Sequence, residues 1–115
     1  MVLHAGSFAL PGQLGEYGSG AVERMTAADV LLCLIEHDPA DVSRALFRRR
    51  RIPDVRPEHF DANAMQRVIP GMSGAQWFFT VAGRSFCLYG VLGSHRARRD
   101  LAPRLAAVVR TLEIS

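Results

Sequence analysis

The 115-residue chain contains no lysine, and all 14 of its basic residues are arginine. The glycine-rich stretch from Gly15 to Gly20 is therefore not a Walker A loop, because that motif needs a lysine to contact the phosphates. The use of arginine in place of lysine is typical of GC-rich coding genomes, so part of the arginine content reflects codon composition rather than function. A formal net charge of only +3 is correspondingly weak support for a nucleic-acid partner.

Long apolar runs are also absent. The longest, from Val30 to Ile35, is far shorter than the roughly 20 residues that span a bilayer. The first residues, Met1 to Gly6, lack the basic and apolar regions of a secretory signal. These features predict a cytoplasmic protein. The abrupt start of an apolar segment at Val2 is also what a chain with an additional upstream segment would show.

The residues that build catalytic and metal sites are few and poorly spaced. Cys33 and Cys87 lie in apolar runs and are expected to be buried free thiols rather than part of a disulfide framework. The four histidines show neither His-x-His nor His-Glu-x-x-His spacing, so no metal and no cofactor is predicted. Gly71 to Gly74 is one residue short of a nucleophile elbow and leads into a strand. We therefore predict a protein that is not an enzyme.

The composition is that of an ordinary globular domain, with 49% hydrophobic and 22% charged residues. A chain of this length can bury roughly two thirds of its unfolded surface without a disulfide or metal. We predict one α+β domain over residues 1–115, with a mainly antiparallel sheet of four to five strands and two helices packed on one face.

The clearest central strand runs from Val30 to Glu36, because its residues are apolar on both faces. A first strand is predicted from Val2 to Leu10, followed by a loop from Gly12 to Gly20. Shorter strands are predicted at Ala21–Arg24 and Met65–Ile69. Residues 52 to 63 are predicted to be irregular, with one turn around Glu58 to Phe60.

The strongest local signal is a hairpin between Ala75–Val81 and Arg84–Leu92, joined by the two-residue turn Ala82-Gly83. If Val81 faces Arg84, one face of the hairpin carries Trp77, Phe79, Phe86 and Leu88, and we interpret this face as the core face. The opposite face then carries Gln76, Phe78, Cys87 and Tyr89, and a one-residue slip would exchange the two faces.

Two helices are predicted. The first opens at Asp38-Pro39 and ends near Arg48 to Arg51, with Val42, Ala45 and Leu46 on its apolar face. The second begins with Asp100 as its N-cap and places one continuous apolar stripe on the sheet. That stripe consists of Leu101, Leu105, Val108, Val109 and Leu112.

Two helices cover about one face of such a sheet, so the other face needs a second cover. The cover is either the N-terminal strand and glycine loop or a second copy of the protein. Large exposed apolar patches are unusual on monomers, which favours a homodimer or association with another protein. The predicted interface residues are Gln76, Phe78, Cys87 and Tyr89.

A second hypothesis is a binding module for an anionic ligand or nucleic acid. Guanidinium groups bind phosphate oxygens with paired hydrogen bonds, and two arginine groups are candidates. The first is Arg48, Arg49, Arg50 and Arg51, which a solvated helix end would also explain. The second is His95, Arg96, Arg98 and Arg99, at the predicted start of the last helix.

The last third of the chain resembles the PsbP family. The resemblance covers about 40 residues, from Gln76-Trp77-Phe78-Phe79 through Arg84-Ser85-Phe86-Cys87-Leu88-Tyr89 to Thr111-Leu112-Glu113-Ile114. It implies an α/β/α sandwich and an assembly or accessory role without catalysis. The Arg, Ala and Val usage also resembles that of small actinobacterial proteins.

Overall fold

The centre of the fold is a four-stranded antiparallel sheet with the strand order β1-β2-β4-β3. The computed structural model describes residues 1–41 and 45–115. The four strands are β1 (Val2–Gly6), β2 (Val30–His37), β3 (Ser73–Val81) and β4 (Arg84–Leu92). One helix, α1 (Arg98–Val109), and 3-10 turns at Val22–Arg24, Pro39–Asp41 and Pro57–His59 complete the described elements. The α+β class is confirmed.

The predicted hairpin is confirmed in turn and register. Val81 pairs with Arg84, Phe79 with Phe86 and Trp77 with Leu88. The turn residues Ala82 and Gly83 have φ values of 53° and 73°. Positive φ at both positions defines a type I′ turn, whose twist matches that of the flanking strands.

The helix face of the sheet holds the main core. The Phe79 and Phe86 rings stack at 5.5 Å between centroids, and both side chains are fully buried. Helix α1 packs Leu105 onto Gly90, where an added Cβ would lie 3.2 Å from Leu105 Cδ1. The missing side chain of Gly90 thus lets the helix approach β4 closely.

The start of α1 differs from the prediction. The helix begins at Arg98 with Ala97 as its N-cap, so Asp100 lies inside the first turn. The Ser94 hydroxyl accepts the Ala97 N–H at 3.2 Å just before the helix, and no side chain caps the helix itself. Val108 was assigned to the buried stripe but is 38% exposed, whereas Ala102 and Ala106 are buried. Along the described ranges, no helix is long and apolar enough to cross a bilayer.

Four other predicted elements are corrected. Val22–Arg24 forms a 3-10 turn rather than a strand, and residues 65–69 form no strand. Strand β1 ends at Gly6 rather than Leu10. The helix predicted from Asp38 begins as a 3-10 turn at Pro39–Asp41, and residues 45–47 form a further turn. Residues 42–44 of the predicted helix, which include Val42 of its apolar face, lie outside the described residues.

Candidate functional site

The sheet face opposite α1 is covered by loops of the same chain. Residues of the 8–25 and 65–72 segments pack on the odd-numbered side chains of β2 and on Tyr89 and Val91 of β4. Leu31, Cys33 and Val91 have no exposed surface as a result. The sequence allowed either the N-terminal strand and glycine loop or a second copy as the cover. In the fold, the glycine-rich loop lies on this face.

Specific contacts anchor these two loops. The Tyr17 ring meets the Tyr89 ring edge-on at 5.5 Å between centroids. The Tyr89 hydroxyl accepts the Gln66 N–H at 2.9 Å, which fixes the second loop to β4. An exposed ion pair between Glu23 and Arg67, at 4.0 Å, links one loop to the other.

The predicted interface residues are separated by this cover. Cys87 and Tyr89 are 0% and 1% exposed within the protomer, so neither has surface to offer a partner. Phe78 is half-buried, and its ring packs edge-on against Phe47 at 5.3 Å. Gln76 is exposed and donates its side-chain N–H to Cys87 Sγ at 3.4 Å. Of the four residues, only Phe78 and Gln76 can contact another molecule.

The thiols under the cover are held in their protonated form. Burial raises the pKa of Cys33 to about 12, and the nearby Cys87 adds to the effect. Burial likewise raises the pKa of Cys87. A thiolate is the nucleophilic form of cysteine, so these raised pKa values suit packing and not nucleophilic chemistry.

The first arginine group lies along β3 rather than at a helix end. The Thr80 N–H donates to the Arg49 carbonyl at 2.7 Å, and the Thr80 hydroxyl donates to the Phe47 carbonyl at 2.8 Å. Beside this contact is an open groove of about 340 Å³ between the arginine segment and β3. Its lining is formed by Ala45, Leu46, Arg48, Arg49, Gln76, Trp77 and Phe78.

This groove combines residues from both sequence hypotheses. Arg48 and Arg49 were predicted as an anion site, and Gln76 and Phe78 as an interface. No local sequence pattern indicates that these residues lie together, because the hydrogen bonds to Thr80 join residues about thirty positions apart. Arg50 and Arg51 are exposed but do not line the groove.

The second arginine group lies at the opposite end of the hairpin. The His95 N–H donates to the Gly71 carbonyl at 2.7 Å, next to the start of β3. The Arg98 guanidinium folds back and donates to the His95 carbonyl at 3.0 Å. Arg96 and Arg99 are exposed. The two arginine groups therefore form two separate surfaces rather than one continuous patch.

The histidines do not form a common site in the described part of the chain. The His4 ring lies 3.0 Å from the carbonyls of Gly15 and Glu16, and the His59 ring packs against Trp77. The His37 ring packs against Phe47, near the turn end of the hairpin. Within residues 1–41 and 45–115, no three His, Cys, Asp or Glu side chains are grouped to hold a metal ion.

The two edges of the sheet differ in protection. On β3, Gly74 exchanges two backbone hydrogen bonds with Asp61, and Thr80 is bonded to Arg49. On β1, the Glu36 N–H donates to the Met1 carbonyl and the Ser7 N–H donates to the Val30 carbonyl. Hydrogen-bonded residues alternate in an antiparallel pair, so the backbone groups of the odd-numbered residues of β1 point towards β2. Backbone groups of Val2, His4 and Gly6 therefore point away from the sheet. The described residues cover the ends of β3 but form no ladder along the outer side of β1.

A shallow apolar groove runs between β1 and α1. Its volume is about 150 Å³, and it lies on the helix face of the sheet. The lining residues are Ala5, Gly6, Ser7, Val30, Leu32, Arg104, Leu105 and Val108. Leu3, one position along the same face of β1, is 43% exposed. Apolar surface thus continues from the strand edge to the flank of the helix.

Comparison with known proteins finds no matching family model, no matching curated protein and no matching solved structure.

Proposed function

We propose that the protein is a non-catalytic module that acts through protein–protein association, mainly with itself, and that the open edge of β1 is the contact surface. The observation that carries the proposal is the contrast between the two edges: described residues bond to both ends of β3 but to no part of the outer side of β1. The PsbP-like pattern supports the same class, since it implies an assembly role. A cytoplasmic location accompanies this proposal, and the two free thiols support it.

The composition of β1 favours association. Proteins usually protect an exposed edge strand with charged residues, proline or a bulge. The strand Val-Leu-His-Ala-Gly has no acidic residue, arginine or proline. Val2 and Leu3 are 41% and 43% exposed, and Val108 of α1 adds a third exposed apolar side chain nearby. The edge therefore offers both unpaired backbone groups and apolar surface to a partner.

Replacement of Leu3 by Glu tests this function. The substitution places a charge on the apolar surface of the edge, so the self-association constant is expected to fall at least tenfold. Sedimentation velocity between about 10 μM and 1 mM protein measures the change. The matched control is Val68→Glu, because Val68 is somewhat more exposed than Leu3 (54% against 43%) but lies in the 65–72 loop. A wild-type protein that stays monomeric throughout this range contradicts the proposal.

The groove beside β3 supports a second candidate, an anion-binding module. Arg48 and Arg49 are exposed beside the aromatic residues Trp77 and Phe78. Neither guanidinium forms an ion pair with an acidic side chain of the described residues. Guanidinium groups next to aromatic rings are typical of sites for phosphorylated or nucleotide-like ligands.

Binding of a fluorescein-labelled oligothymidine tests this candidate. We expect the affinity to fall with salt concentration and to drop at least tenfold when Arg48 and Arg49 are both replaced by Ser. The double variant Arg24→Ser, Arg110→Ser removes the same charge at exposed positions outside both arginine groups and is the control. Equal losses in the two variants would show that binding depends on net charge alone.

A further inference from the structure

We infer that the occupant of the β1 edge is β1 of a second copy, paired antiparallel about a two-fold axis at His4. This inference rests on the proposed function and specifies its geometry. Val2, His4 and Gly6 direct their backbone groups outward, so hydrogen-bonded pairs across the edge must join these residues. The register with the greatest overlap joins Val2 to Gly6 of the second copy and His4 to His4.

In this register the side chains are self-complementary. Leu3 lies opposite Ala5 of the second copy, and both side chains are on the helix face. Ala5 lines the groove of about 150 Å³ beside α1. The exposed Leu3 side chain of each copy thus enters the groove of the other. A two-fold contact requires this reciprocity, since each surface must meet its own copy.

The protection of β3 explains why assembly stops at two copies. A head-to-tail contact between β1 and β3 would extend the sheet indefinitely, but Asp61 and Arg49 already bond to the outer side of β3. Each protomer then has one edge that is open along its whole length, and pairing two such edges leaves only the β3 edges, which are blocked at both ends. The expected product is a closed dimer with an eight-stranded sheet rather than a filament.

Charge and area also fit a second copy. Strand β1 has no charged side chain, so its antiparallel pairing with a second copy brings no like charges together. A five-residue edge with one groove buries less than the roughly 800 Å² per partner of a standard interface. The dimer is therefore expected to be weak, with dissociation in the micromolar range or above.

Disulfide trapping between copies tests the register. Leu3→Cys and Ala5→Cys proteins, mixed under mild oxidation, should form a mixed disulfide dimer, because these positions lie opposite each other within about 4.5 Å between Cα atoms. Each variant alone should give at least tenfold less dimer. Cys33 and Cys87 are buried and leave the introduced thiols as the reactive ones.

A second variant covers the case in which Ala5→Cys does not fold. His4→Cys should form a disulfide with its own copy at the two-fold axis, whereas Val2→Cys should not. Association in sedimentation without any of these disulfides would overturn the register and leave the proposed function standing. If the natural occupant is instead a strand of another protein, the purified chain stays monomeric. This outcome overturns both the register and the proposed self-association.

Discussion

At the scale of single residues, the turn of the hairpin contains a conformational strain. Ala82 has a φ of 53° in the left-handed region, where its Cβ meets the backbone unfavourably. Asparagine tolerates this region and is favoured before glycine in type I′ turns. Alanine is therefore a less favourable residue than asparagine at the first central position of this turn.

Replacement of Ala82 by Asn should raise the free energy of unfolding by about 0.5–1 kcal/mol, because it relieves this strain. Urea unfolding at neutral pH measures the change. Gly83→Ala, which imposes the same kind of strain at a φ of 73°, is expected to lower the free energy of unfolding by about 1 kcal/mol. Opposite signs for the two variants are the result that the turn geometry requires.

Tyr89 shows what sequence patterns reveal about a single residue and what they leave out. The hairpin register correctly placed Tyr89 on the face opposite Trp77 and Phe79. Its burial depends on Tyr17 and Gln66, which are distant in sequence and belong to irregular segments. Periodicity predicts the face of a strand, but it carries no signal for which loop packs on that face.

At the scale of elements, the loop cover changes the ionisation of the groups beneath it. Burial raises the pKa of Cys33 and of Tyr17 to about 12 in each case. In the unfolded chain these groups lose their protons at lower pH. The unfolded state is therefore favoured as pH rises from about 9 towards 12.

Alkaline unfolding measures this effect. Between pH 7.5 and pH 10, Cys33 alone should lower the free energy of unfolding by about 1–2 kcal/mol, because its proton is retained only in the folded state. In Cys33→Ala the decrease over the same pH interval should be smaller by this amount. An identical decrease in both proteins would show that the Cys33 thiol is not desolvated as the fold implies.

The elements that were predicted correctly are those with local determinants. The hairpin has a two-residue turn between β-rich runs, and α1 has an apolar stripe, so both follow from neighbouring residues. The segments 21–24 and 65–69 were predicted as short strands, although they contain charged or polar residues beside their apolar ones. In the fold, the apolar side chains of these segments pack on the sheet from loops. This packing buries the side chains but requires no pairing of backbone strands.

At the scale of the whole molecule, the fold resolves the apparent excess of apolar sheet. One face is covered by α1 and the other by loops, so the sequence-based argument for association through Tyr89 and Cys87 does not apply. The α+β class, the antiparallel sheet and the central position of β2 followed from pattern alone. The open edge did not, because its exposure depends on the global strand order β1-β2-β4-β3.

The irregular cover over β2 and β4 has a further consequence for heating. Its loops are attached by side-chain packing, one exposed ion pair and a few hydrogen bonds, which join Tyr89 to Gln66, His4 to Gly15 and Glu16, and His95 to Gly71. The strands, by contrast, share a continuous ladder. The loops can therefore lift before the sheet melts and uncover Leu31, Ile35 and Val91. Detachment of these loops exposes apolar sheet and produces an aggregation-prone intermediate. Thermal precipitation should therefore begin below the temperature at which the strands separate.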